Sequence, residues 1–475
     1  MIKTKDKLTY GIGNVSNGII LQALTSYLVF FGTTILGLSG TIIGLVIAVS
    51  VVWDAVSDLL IGHMSDYAIS KRFGRRHLFM IVGTIGLVIF NGLLWSIQPS
   101  WSYILKVVLL FVCVMMVKTF MTILVTPYNA LGAELSSDYH ERTSIQAYRT
   151  VFFILGVAFT TVAGMVFYFK PTSLYPLGQL NPIAYQQLGI SLSLIVLICA
   201  GIATVTTLKY IPFLPKNTKV EQKSTIKLMI MEFKVILENK NYLYVAGAYL
   251  SANIATAIVG AVGLHVYTYT FKINNYGIGI LFGVMFGLSV LSQQFWVAYT
   301  KRRDKRTSAL LAVKLSILSS IFFIALVLFR DYVIAHPIWM MAYVIPSGIG
   351  IGGLITLPFS MIADTVDEEE LMTGHRSEGL YYGGLTFSYK ISQSVAIFLL
   401  GIILDLVGFD SSLAVQPTAT VVGLGLVVAF GTLVALLMAY RFYKRYNMTK
   451  EKAEAIKKAI EANISIRLEK QCKIR

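Results

Sequence analysis

Apolar stretches of 18 or more residues recur along nearly the whole of this 475-residue sequence. That recurrence constrains the fold more than any other feature. At a rise of ~1.5 Å per residue, each stretch can cross the ~30 Å hydrocarbon core of a bilayer as a helix. Twelve are expected, near 9–34, 41–63, 77–97, 104–130, 146–168, 187–210, 243–270, 277–298, 308–329, 337–362, 379–407 and 418–440. With 56% hydrophobic and only 13% charged residues, against roughly a quarter charged in soluble domains, the chain reads as an all-α membrane protein. The first stretch is too long for a signal-peptide core and lacks a small-residue cleavage site, so it is read as the first span.

The connections set the orientation. Basic residues crowd alternate loops: Lys3, Lys5 and Lys7, then Lys71, Arg72, Arg75 and Arg76, then Arg142, then 216–240, then "KRRDKR" at 301–306, then the C-terminal tail. The intervening loops carry single basic residues, Lys106, Lys170, Lys272 and Arg330. The positive-inside rule puts both termini in the cytoplasm of a multi-pass protein of the plasma (inner) membrane. The net charge of +16 is therefore topology and attraction to anionic lipid. It is dispersed over short loops, so nucleic acid is not an expected partner. A monomer is expected.

A polar, Lys-rich segment at 211–242 separates residues 1–210 from 243–445, and a basic tail occupies 446–475. "GAELSSDYHERTSIQAYR" after the fourth span and "MIADTVDEEELMTGHRSEGLYYG" after the tenth share one order: a small residue and an acid, an acidic patch, then Arg. Two pseudo-symmetric six-helix bundles related in this way are the plan of the major facilitator fold. In the tail, Ile456, Ala459, Ile460, Ile464 and Leu468 share a helical face flanked by Lys452, Lys457, Lys458 and Arg467. This reads as an inner-leaflet helix, dispensable for transport beyond Asn447.

Two acids stand inside the second apolar stretch, in "VVWDAVSDLLIGHMSD". Asp54 and Asp58 are four residues apart and share one helix face, which Ser57 borders. A carboxylate at mid-membrane costs roughly 2.5–3.5 kcal/mol on insertion scales, so the pair has to face the bundle interior and meet countercharge. Carboxylate and hydroxyl oxygens suit a hard cation, and the acids read as a site for a coupling ion, Na⁺ or H⁺. Lys390, deep in the eleventh stretch, is as costly as the acids. A salt bridge from it to Asp54 or Asp58 is the expected relief.

"KLTYGIGN", "WDAVSDLLIGHMSD", "PYNALGAELSSDYHERTSIQAYR" and "MIADTVDEEELMTGHRSEGLYYG" with its following Lys resemble, in order and over nearly the whole chain, the glycoside-pentoside-hexuronide:cation symporter family. The resemblance implies cation-coupled symport of a small solute of the sugar or glycoside class. On it, the family's sodium-binding acids fall on Asp54 and Asp58, the neighbouring amide position on Ser57, and its helix 4 threonine on Thr122. Its helix 11 lysine falls on Lys390 and its cavity arginine on Arg149. The family's sugar-clamping acids fall on Gly18 and Val125, and its cavity tryptophans on Asn129 and Ile355, so the equipment for neutral galactosides is mostly missing. Lys118, one turn from Thr122, and Arg149 suit an anionic solute such as a uronide, or an amphiphile such as a lysophospholipid. Asn253 on the seventh helix is a further candidate for substrate or coupling.

His265 reads either as a proton relay or as a packing residue. Asp66, Glu134 and Asp364, with Arg75, Arg142 and Arg376, are expected to form gating salt bridges at the cytoplasmic face. No nucleophile, paired Cys or HExxH marks an enzyme, and no cofactor beyond the coupling ion is expected. A drug or metabolite exporter of the same fold is the alternative.

Overall fold

A computed structural model of the chain describes residues 3–67, 73–135, 139–213, 237–373, 378–410, 413, 416–456, 458–460 and 462. Among the described residues, twelve helices are long and apolar enough to cross a membrane. They are α1 (Thr4–Phe30), α2 (Gly40–Tyr67), α3 (Gly74–Trp95), α4 (Tyr103–Glu134), α5 (Tyr139–Ala163), α6 (Pro182–Thr207), α7 (Lys240–His265), α8 (Asn275–Arg302), α9 (Lys305–Leu328), α10 (Met341–Thr373), α11 (Glu378–Leu406) and α12 (Thr418–Arg445). Most of the segment expected as a linker, 214–236, lies outside the described residues.

Local chemistry sets many of the helix ends. Ser102 accepts from the Leu105 amide ahead of α4, and Asp304 accepts from Thr307 ahead of α9. Asn181 caps α6, which begins at Pro182, where a missing N–H costs nothing. Three helices finish in a π turn: α1 at Phe31–Ile35, α5 at Gly164–Tyr168 and α7 at Val266–Thr270. α1 and α7 stand six helices apart, and the shared ending is a structural echo of the sequence repeat.

The chain forms two compact units. The first comprises Met1–Glu221 with Gly260–Gly283 and Ile397–Leu424, and the second comprises Gln222–Val259, Val284–Ala396 and Gly425–Arg475. Helices α7, α8, α11 and α12 therefore each contribute one end to the first unit.

In the first unit α1 packs on α5 and α6, α3 on α4 and α6, and α2 on α4. Small residues let backbones approach, as membrane helix packing requires. A Cβ on Gly18 of α1 would strike the Phe153 carbonyl oxygen of α5, and one on Gly156 would lie 2.6 Å from Val15 O. Tyr10 and Tyr128 stack at 4.5 Å and donate to each other's carbonyl oxygens at 2.6 and 2.8 Å, tying α1 to α4.

The second unit packs α9 on α10 around Trp296, Tyr381, Tyr443 and Tyr446, all fully buried. The tail joins this core. Ile456, expected to face lipid, is buried against protein, and Lys452 Nζ bonds Glu368 Oε1 at 2.8 Å. Asn241 donates to the other Glu368 oxygen at 2.8 Å and accepts from the Asn447 amide. Helical periodicity reports that a face is apolar and not whether lipid or protein covers it. Ile464 and Leu468 lie outside the described residues.

Candidate functional site

α2 and α4 meet along a row of polar side chains. Trp53, Asp54, Ser57 and Asp58 fall on the facing side of α2, and Thr119, Thr122 and Thr126, three and four apart, on that of α4. Thr119 donates its proton to Met115 O at 2.8 Å and accepts from Trp53 Nε1 at 2.7 Å. One turn on, Thr122 Oγ1 lies 3.3 Å from Asp54 Oδ1 and 3.4 Å from Ser57 Oγ, which also lies 3.2 Å from Asp54 O. Another turn on, Thr126 Oγ1 lies 3.4 Å from Asp58 Oδ1. Asp54, Ser57 and Thr122 are 9%, 3% and 3% exposed, and Asp58 is half-buried. Three of the four expected cation-site residues thus converge at Asp54, and the fourth stands one turn along with a threonine that sequence reasoning did not single out. Pro127, within α4, removes the N–H that would bond Ile123 O and loosens the helix beside these hydroxyls.

Lys118 is half-buried on α4, one turn before Thr122. Arg149, half-buried on α5, offers its carbonyl to Asn14 Nδ2 at 2.9 Å, and Asn17 donates to Asn14 Oδ1 at 3.3 Å. The Arg149 guanidinium stands beside the Tyr10 hydroxyl, and its buried Nε has no partner among the described residues. Lys390 on α11 and Asn253 on α7 belong to the second unit. Lys390 is half-buried, and Asn253 Nδ2 bonds back to Tyr249 O at 2.8 Å.

Gly18 is not in a position to hold a sugar-binding group. Backbone of α5 fills the space beyond its Cα.

Of the expected gating residues, Glu134 accepts from Arg76 Nη2 at 2.7 Å and Nε at 3.1 Å, and Arg76 Nη1 bonds Ser65 Oγ at 2.6 Å. This joins the ends of α2, α3 and α4. Lys305 Nζ contacts Asp364 Oδ1 at 2.7 Å and Ser360 O at 2.8 Å, joining α9 to α10. The two pairs sit six helices apart, a base opening α3 or α9 against an acid at the end of α4 or in the last third of α10. The side chains of Asp66, Arg75 and Arg142, and the whole of Arg376, lie outside the described residues.

His265 is fully buried. Its Nε2 lies 2.8 Å from Thr33 Oγ1, and Thr33 donates to Val29 O at 2.8 Å. A hydroxyl has one proton, and with that proton given to Val29 O, Thr33 accepts from Nε2–H of the ring. Phe30 and Phe409 enclose it, at centroid distances of 4.7 and 5.3 Å. His77 repeats the arrangement with Thr207 and Ala203 O. The geometry is that of a packing histidine.

Twelve spanning helices with a buried carboxylate and hydroxyls at mid-helix define a secondary transporter of the major facilitator fold. The solved structure of a bacterial homologue of the human lysosomal transporter Spinster shares that fold, with a TM-score of 0.66 and 12% identity over 96% of each chain. The sequence model of the family described as MFS/sugar transport protein matches residues 9–450, and the chain belongs to that family. Among its relatives are the putative glycoside/cation symporter YagG of Escherichia coli K12, 24% identical over 96% of this chain and 94% of the relative, and the sodium-dependent lysophosphatidylcholine symporter 1 of Gallus gallus, 22% identical over 96% and 88%.

Proposed function

We propose that the protein is a cation-coupled symporter in which Asp54, Ser57, Asp58 and Thr122 form the coupling-ion site. The convergence of a buried carboxylate with two hydroxyls near the middle of α2 carries this reading. Two acids in lipid need countercharge. A hard cation held by oxygen ligands supplies it, and the neutral oxygens of Ser57 and Thr122 favour Na⁺ over a proton, which needs only one acceptor. The name of the lysophosphatidylcholine relative, sodium-dependent, supports the same choice.

Lys390 competes with the cation for the acids. A bridge that forms in one state and yields in another supplies the differential affinity that alternating access requires. The pairs Arg76–Glu134 and Lys305–Asp364, with Asp66, Arg75, Arg142 and Arg376, gate the cytoplasmic face of a monomer whose termini are both cytoplasmic.

The substrate is a small solute of the sugar or glycoside class, as the family description and the YagG name suggest. Arg149, Lys118 and Asn253 serve it, and the basic groups favour a uronide. A second reading, a lysophospholipid, is favoured by Gly18, where backbone occupies the space a sugar-clamping acid would need.

The test is accumulation of a radiolabelled neutral glycoside, its uronide and lysophosphatidylcholine in vesicles containing purified protein, under imposed Na⁺ or H⁺ gradients of either direction. Inward accumulation driven by a Na⁺ gradient is expected. No gradient-driven accumulation of any solute, or export alone, would overturn the symport reading.

A further inference from the structure

We propose that Thr126 is a further residue of the coupling-ion site, one that positions Asp58 and lends it a neutral oxygen, so that the site extends over two turns of α2 and α4. The inference rests on the cation-site reading above.

The α2–α4 contact repeats itself. A step of four residues on each helix carries the pair Asp54–Thr122 onto Asp58–Thr126, and the oxygen separations are nearly the same, 3.3 and 3.4 Å. The third threonine of the row behaves differently. Thr119 returns its proton to its own helix at Met115 O, the usual habit of a helical threonine. Thr122 and Thr126 aim theirs at carboxylates on the neighbouring helix.

The place of the Thr126 methyl agrees with this orientation. The methyl lies 3.7 Å from where a Cβ of Gly62 would stand. Gly62 is one turn beyond Asp58 on α2, so the methyl covers that glycine while the hydroxyl is turned to Asp58. A hydroxyl so placed has two uses. It donates to the carboxylate alone, and with its proton rotated away it offers a lone pair to a cation that the carboxylate holds. Each added neutral ligand raises coordination without burying another charge. Ligand number and cavity size are what separate hard cations from one another.

The experiment is calorimetric titration of Na⁺ and Li⁺ into the purified full-length protein, using wild type, Thr126→Val, Thr126→Ser and Asp54→Asn. Valine keeps the shape and the methyl on Gly62 but has no oxygen. It is expected to raise the Na⁺ Kd about tenfold, the scale of one hydrogen bond to a charged group, and to change the Na⁺:Li⁺ ratio. Serine keeps the oxygen and should bind as wild type does. Thr126→Ala repeats the test if the valine variant fails to fold.

Wild-type affinity and selectivity in Thr126→Val, with binding lost in Asp54→Asn, would overturn the inference and leave the cation-site reading standing. Equal loss in the serine variant would assign the effect to packing and overturn it as well. Wild-type protein with no Na⁺ binding that Asp54→Asn removes would sink the cation-site reading and this inference together.

Discussion

Asp405 at the end of α11 caps Thr41 at the start of α2, its Oδ2 taking both the amide of Thr41 at 2.9 Å and the hydroxyl at 2.6 Å. Oδ1 takes the Gly40 amide at 2.8 Å, and Ser39 Oγ adds a fourth donor at 3.0 Å. Free amides and the positive end of the helix dipole favour a carboxylate there. The approach depends on glycine, because a Cβ on either Gly40 or Gly401 would strike the other's carbonyl oxygen. The carboxylate is exposed, so Asp405→Asn should cost only about 1 kcal/mol. Gly401→Ala, which drives carbon into backbone, should cost about 1–3 kcal/mol. Thermal melting of the purified variants ranks them, and the reverse order would show that the charge and not the close approach holds this contact.

Asp58→Asn should abolish cation-driven accumulation more severely than downhill exchange. The amide keeps the shape and one oxygen but pairs with neither a cation nor Lys390 through charge. Parallel measurement of uptake against a gradient and of exchange decides it. Accumulation at the wild-type level would remove Asp58 from the coupling step.

Gly18→Asp does not restore galactoside binding. The new side chain meets the Phe153 carbonyl oxygen, a collision with backbone that no rotamer relieves, and overpacking of this kind costs about 1–3 kcal/mol or more. Lower membrane yield and a lower Tm are the expected outcomes. A well-folded variant that gains neutral-galactoside binding would show that α1 and α5 part to expose this position.

Arg76 and Lys305 occupy equivalent places in the repeat but should respond unequally to removal. The side chains of Arg76 and Glu134 are 6% and 13% exposed and those of Lys305 and Asp364 30% and 6%, so both acids are buried and it is the bases that differ. Arg76 bonds Glu134 through two nitrogens and Ser65 Oγ through a third from a buried position, whereas the half-exposed Lys305 bonds Asp364 and the Ser360 carbonyl with one ammonium that water also reaches. Arg76→Ala should therefore destabilise more than Lys305→Ala, and Arg76→Lys should recover part of the loss. Equal Tm values for the two alanine variants would contradict the difference in burial.

Truncation after Asn447 removes the Lys452–Glu368 contact and the buried Ile456, so it should lower stability even where uptake persists. Ile456→Ala alone should cost about 2 kcal/mol, the low end for a buried isoleucine. A truncated protein that melts with the full-length chain would return the tail to the role of a surface helix on the inner leaflet.

Much was legible in the sequence because it depends on local properties. Hydropathy over twenty residues marks a span wherever the span later packs, and the helical period alone puts Asp54 and Asp58 on one face. What the tertiary structure decided are matters of register between helices. Thr126 meets Asp58 because α4 lies against α2 at one rotation and one height, and nothing in "ILVTPYNA" specifies either. Neighbouring helix residues point about 100° apart, so whether Arg75 or Arg76 turns toward Glu134 depends on how α3 is seated. Gly18 looked like a missing ligand in sequence and is a point of backbone contact in space, since the absence of a side chain has no meaning until the atoms that fill its place are known.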